Sequence, residues 1–144
     1  MSLRAAIILA TIFAAVLPFS SLSLAAGNEE LGHLGDKMDG AFRCASYAAT
    51  AHDYKEQKRL FQIGLKAASA FVEGIKSVKD PNMGEIKRWL EETSTDFVVG
   101  TMWQDRSTKT DEEIRKQQGG RWDSDAPKRE AEISYRNGNC SLIQ

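Results

Sequence analysis

One stretch restricts the fold more than any other. From Lys55 to Lys79, the residues Leu60, Gly64, Ala67/Ala68, Phe71, Ile75 and Val78 recur every three or four positions, while Lys55, Lys58, Arg59, Lys66, Glu73 and Lys76 fill the other faces. That spacing is the signature of an amphipathic α-helix, not of a strand. Gly64, Ala67, Ala68 and Gly74 are small enough to let a second helix approach closely. Each glycine costs ~1 kcal/mol of helix propensity, which such packing offsets. Nothing alternates at period two, and there is no internal repeat or low-complexity tract. The expected fold is all-α: a single compact domain of four to six helices.

The other helices follow from the same spacing and from their caps. Met38, Phe42, Ala45 and Ala49 make a stripe, with Cys44 beside it, on a first helix that starts after Asp36 and ends near His52-Asp53. Asp80-Pro81 is a start signal, an N-cap residue followed by proline at the first helical position. Met83, Ile86, Trp89 and Leu90 then mark the expected buried face of a short third helix. Ser94 or Thr95 caps the next, which carries Phe97, Val98, Thr101 and Met102. Thr110 and Glu113 have capping-box spacing, so this helix either restarts at Thr110 after a kink or gives way to a new one. Gly119-Gly120 ends it. Residues 121–128 read as a loop in which Asp125 caps a last helix with Pro127 in its first turn. Asn137-Gly138 stops that helix before the tail Cys140-Ser141-Leu142-Ile143.

The N-terminus decides where such a domain lives. Arg4 precedes a thirteen-residue apolar run, Ala5 to Leu17, which Pro18 breaks; Ser23 and Ala25 then stand at the −3 and −1 positions of a signal-peptidase site. That order predicts a signal peptide over residues 1–25, with an apolar core too short for a comfortable membrane span. The alternative is an uncleaved signal anchor over Ala5 to Ala26. Residues 26–35 are glycine-rich and polar and read as a flexible lead-in, leaving 36–144 as the helical domain. No stable membrane insertion is expected after cleavage, and the location is periplasmic or secreted.

Loss of Arg4 takes the net charge from −1 to −2. The charges are interspersed, so nucleic acid and anionic membranes are not expected partners. Two cysteines remain, Cys44 and Cys140. An even count in an exported chain reads as a disulfide, here closing nearly the whole domain.

Catalytic templates are missing. There is no glycine-rich phosphate loop, GxSxG, HExxH or CxxC. His52, Asp53 and Glu56 offer a weak three-ligand set within one turn, but an exposed helix end where a protonated histidine complements the dipole is the better account of them. Cys44 and His52 lie ~12 Å apart along a helix, too far for a Cys/His pair. Glu91-Glu92, Asp111-Glu112-Glu113 and Asp123/Asp125 lack the apolar setting that makes a carboxyl a general acid. The chain is therefore expected to be no enzyme and to use no cofactor or metal. One grouping suits a binding surface: Trp103, Arg106, Arg121 and Trp122, residue types that dominate binding hot spots. Alternatively, Trp103 caps the core and Trp122 folds back onto it.

Phe42-x-Cys44-Ala45-x-Tyr47, Arg59-Leu60-Phe61-x-x-Gly64, Asp96-Phe97-x-x-Gly100 and Asn139-Cys140-x-Leu142-Ile143 together resemble small exported bacterial all-α proteins of unassigned function. The resemblance spans about residues 40–143 and implies helix packing and the cysteine pair, with no activity attached. In size and compartment the chain is also similar to periplasmic immunity proteins and acid-stress chaperones. The expected function is a non-enzymatic exported binding protein, an inhibitor or immunity-type partner of another protein. The alternatives are a binder of a small apolar ligand held between helices, among Leu60, Phe71, Trp89 and Phe97, and a hydrolase with an unrecognised site.

Overall fold

The computed structural model describes residues 19–119 and 123–144. The chain divides into two compact units, Met1–Glu30 and Leu31–Gln144. Among the described residues there are five α-helices and no strand: α1 (Phe19–Thr50), α2 (Tyr54–Ser77), α3 (Gly84–Glu92), α4 (Thr95–Gln117) and α5 (Ala126–Asn137). Short 3₁₀ turns, Pro81–Met83 and Cys140–Leu142, precede α3 and follow α5. The basic start, apolar run and Pro18 of the expected leader lie outside the described residues. The all-α class stands.

Within Leu31–Gln144, α1 is the central element. Ala41, Phe42, Cys44, Ala45, Ser46, Tyr47 and Ala48 are all buried. A segment buried on nearly every side, as residues 41–48 are, shows no clean stripe, which is why this part of α1 reads less clearly in sequence than α2. Ser46 is accommodated because its hydroxyl donates to the Phe42 carbonyl one turn back, at 3.1 Å. Against α1 lies the small-residue face of α2. A Cβ built on Gly64 would stand 2.4 Å from Phe42 Cδ1, and one on Gly74 would stand 2.4 Å from Leu31 Cδ2. These glycines mark the expected close approach.

The same contacts reach into the segment expected as a lead-in. Residues 26–35 lie inside α1. Leu31 docks at Gly74, and Gly35 lies 3.5 Å, measured from its ideal Cβ position, from the Phe71 ring. Extending an existing helix fixes one residue per added hydrogen bond, so modest packing is enough to carry it through glycines.

Two apolar clusters make the core. One joins Cys44, Ala45, Tyr47, Leu60, Ile114, Ala131 and Cys140; the other joins Phe42, Ala68, Val72, Leu90, Val98 and Val99. Phe61 and Trp103 pack against both. Cys44 and Cys140 are bonded, with Cα atoms 5.5 Å apart and both residues fully buried. α4 runs unbroken through Thr110, which is buried and donates its hydroxyl to the Arg106 carbonyl at 2.9 Å. Thr110 therefore starts no new helix, because its hydroxyl is spent on the helix it sits in. α1 ends at a pair of backbone bonds, Asp53 N–H to Ala48 O at 2.8 Å and His52 N–H to Ala49 O at 3.0 Å, with His52 left-handed at φ 65°. That is a Schellman ending with histidine where glycine is usual.

Candidate functional site

Of the grouping expected as a binding surface, Trp103 and Arg106 are among the described residues, and both are partly buried. Trp103 is half-buried, edge-on to Phe42 with ring centroids 5.4 Å apart and to Phe61 at 4.9 Å. Such edge contacts let it bridge both core clusters. Arg106 is only 14% exposed and lies between two acids, with Nε 3.3 Å from Asp39 Oδ1 and Nη2 3.6 Å from Glu113 Oε1. Nε is buried without an aligned hydrogen bond, so the Asp39 contact is an ion pair of poor hydrogen-bond geometry. Tyr47 donates its hydroxyl to Glu113 Oε2 at 3.2 Å, and burial, reinforced by that carboxylate, raises its pKa. Trp103 and Arg106 thus tie α4 to α1. Arg121 and Trp122 lie outside the described residues.

Large apolar side chains left in water include Tyr54, Ile133 and Leu142, each on a different element, and three that lie close in sequence: Ile86 and Trp89 on α3, 52% and 49% exposed, and Phe97 at the start of α4, 63% exposed. The last three flank the cluster into which Leu90, Val98 and Val99 are sunk. This corrects the expected buried face of α3: of Ile86, Trp89 and Leu90, only Leu90 is buried. The reason is length and charge. α3 has nine residues, among them Glu85, Lys87, Arg88, Glu91 and Glu92, so it can sink one side chain while its charges stay wet. That charge density was the signal in the sequence that could have flagged the face.

The mounting of this face is rigid. Asp80 caps the 3₁₀ turn, accepting from the Asn82 N–H at 2.8 Å, and Lys87 Nζ reaches back to the Val78 carbonyl at 2.8 Å. Ser94 caps α4 by accepting from the Phe97 N–H at 3.3 Å. Thr95 donates to Glu73 Oε1 at 2.7 Å and accepts from Lys76 Nζ at 3.1 Å, fastening α4 to α2. Among the exposed charges of residues 84–97, Glu85, Glu91, Glu92 and Asp96 outnumber Arg88. The exposed charge of this segment is therefore mostly acidic.

The residues weighed as a weak metal set serve other ends. Asp53 caps α2, accepting from the Glu56 N–H at 3.1 Å. Glu56 is gripped by Arg59 at 2.8 and 2.6 Å and accepts the Tyr135 hydroxyl. Arg59 also donates to the carbonyls of Ile143 at 2.6 Å and Cys140 at 3.4 Å, holding the C-terminal tail. Among the described residues no group of three or more His, Cys, Asp or Glu is placed to hold a metal ion. Arg59 lowers the pKa of Glu56, Thr95 and Lys76 lower that of Glu73, and Arg129 lowers that of Asp123. A general acid needs the opposite shift. Leu60 is fully buried while Trp89 and Phe97 face water, so these residues do not close around one apolar cavity.

Comparison of the chain with known protein families, curated proteins and solved structures finds no match.

Proposed function

We propose that this is an exported, non-enzymatic binding protein of the periplasm, acting on another protein as an inhibitor or immunity-type partner, and that it makes contact through the α3–α4 face. The carrying observation is the exposure of Ile86, Trp89 and Phe97 on a rigid mount. Large apolar side chains grouped on a fold that has already closed its core mark an interaction surface. The exposed acids of the same segment, Glu85, Glu91, Glu92 and Asp96 against Arg88, select a partner whose own apolar patch is edged by lysine or arginine. Export rests on the leader pattern and agrees with the Cys44–Cys140 bond, since such bonds persist in oxidising compartments. Among the described residues no helix is long and apolar enough to cross a membrane. Arg121 and Trp122 remain part of this reading on their residue types alone.

The test uses the exported protein, whose first residue is expected to be Ala26 or Gly27. A helical leucine–lysine peptide and a leucine–glutamate peptide of equal length are titrated against it. The basic peptide is expected to bind at least about tenfold tighter, with added salt weakening it. Trp89→Ala with Phe97→Ala should cut that affinity by at least about tenfold while leaving the Tm nearly unchanged, because truncating an exposed hot-spot ring costs binding rather than folding. Equal affinity for the two peptides, or a double variant that binds as well as the parent, overturns the α3–α4 assignment.

A further inference from the structure

The disulfide creates a second feature, which shares no residue with the α3–α4 face. Cys44 lies one turn before Ala48 on α1, and Cys140 follows α5 closely, so the bond draws the end of α1 against the end of α5. Beside this junction lies a half-open pocket of about 240 Å³, lined by Ala48, Ala51, Asp53, Glu132, Tyr135 and Arg136. We infer that this pocket is a binding site for a small organic ammonium.

Shape and charge both argue for that class. Two alanine methyls and the Tyr135 ring make an apolar floor, with Ala48 fully buried. The ring is held in place because its hydroxyl is bonded to Glu56, which Arg59 clamps in turn. A fixed aromatic face attracts a cation. Two acidic side chains, Asp53 and Glu132, stand against one basic one, Arg136, so the formal charge of the lining is negative. Asp53 commits Oδ1 to the Glu56 N–H. Among the described residues the Glu132 side chain makes no hydrogen bond or ion pair. Ala48 and Ala51 also lie at the C-terminal end of α1, the negative pole of its macrodipole.

A hard metal ion is a poor occupant, because it needs converging carboxylates and Arg136 opposes it. The volume falls below the ~300–1,000 Å³ typical of drug-sized ligands. The ligand is therefore an alkylammonium of a few heavy atoms, its charge at Asp53 and Glu132 and its chain on the alanines and the ring.

The test is an amide-shift NMR titration of the disulfide-bonded protein with n-butylammonium, n-butanol and butyrate. The expected result is saturable movement of the Ala51 and Tyr135 amides by n-butylammonium alone, with a dissociation constant on the order of 1 mM. Asp53→Asn with Glu132→Gln should weaken that binding by at least about fivefold. Asparagine caps a helix as well as aspartate does, so α2 keeps its start; should the double variant melt early, Glu132→Gln alone carries the test. Saturation by butanol or butyrate at the same concentration, absence of saturation, or full affinity in the variants overturns the assignment. None of these outcomes bears on peptide binding at α3–α4, so the two proposals fail separately.

Discussion

Tyr135 reaches from α5 to a carboxylate on α2, and the chemistry of that contact makes it the residue whose titration reports the fold. Burial, and then the Glu56 carboxylate that accepts its hydrogen bond, push the phenol from 10.0 up to about 12. An acid whose folded pKa is raised binds its proton more tightly in the native state, so its stabilising effect is complete below pH 10 and is lost as pH climbs toward 12. Phenolate absorbance should show one tyrosine titrating near 12 in the folded protein and near 10 after unfolding. The stability of Tyr135→Phe should fall less steeply than that of the parent across this window. An ordinary pKa at this tyrosine would sink the prediction. The partner acid works at the other end of the scale: Arg59 and then the Tyr135 bond hold Glu56 low, so its contribution is present above the ordinary carboxylate range and lost as pH falls through the depressed value. None of this was legible in the chain. Glu56 and Tyr135 are 79 positions apart, and local spacing could only group Glu56 with His52 and Asp53.

At the scale of elements, the small-residue face of α2 was the most legible feature, and glycines test what it does. Gly64→Ala places a methyl 2.4 Å from the Phe42 ring, so ring or helix must move. The cost of overpacking, typically about 1–3 kcal/mol, exceeds the ~1 kcal/mol of helix propensity gained. Gly100 sits in α4 with nothing within 4 Å of its ideal Cβ position, and Gly100→Ala should stabilise by about 0.5–1 kcal/mol. Urea denaturation of the two variants should therefore move the midpoint in opposite directions. A stabilised Gly64→Ala would show that α1 and α2 do not approach there. Gly138 has a related role: a Cβ there would stand 3.3 Å from the Cys140 sulfur and 3.1 Å from the Ser134 carbonyl. The positive φ near the end of α5 belongs instead to Asn139, at 51°. The apolar residues of α3 misled because period predicts which side chains share a face, not whether a neighbouring element covers it.

For the whole molecule, the covalent tie matters most. Cys44 and Cys140 are 96 positions apart, and in the chain-entropy model closing a loop of ~100 residues gains on the order of 4–5 kcal/mol, less any native strain. Cys140→Ser should lower unfolding stability by roughly 2–5 kcal/mol, read as a shift in the urea midpoint. A shift of a few tenths of a kcal/mol would mean that Arg59, through the Ile143 and Cys140 carbonyls, holds the tail unaided. The bond and Arg59 act on the same few residues, so their variants are expected to be non-additive.

Periodicity and cap chemistry were enough to read the helical class, the caps at Asp80 and Ser94, and the glycine-marked face of α2. Each depends on residues within one or two turns, where period and side-chain chemistry act directly. The cysteine pairing was also legible, because a chain with two cysteines offers each one partner. Long-range packing set the burial of residues 41–48 of α1, turned Trp103 and Arg106 toward that helix, left Ile86, Trp89 and Phe97 in water, and opened a pocket where α1 meets α5. Those outcomes turn on which surfaces remain once five helices compete for one small core. That competition joins residues far apart in the chain, and no local pattern encodes its result.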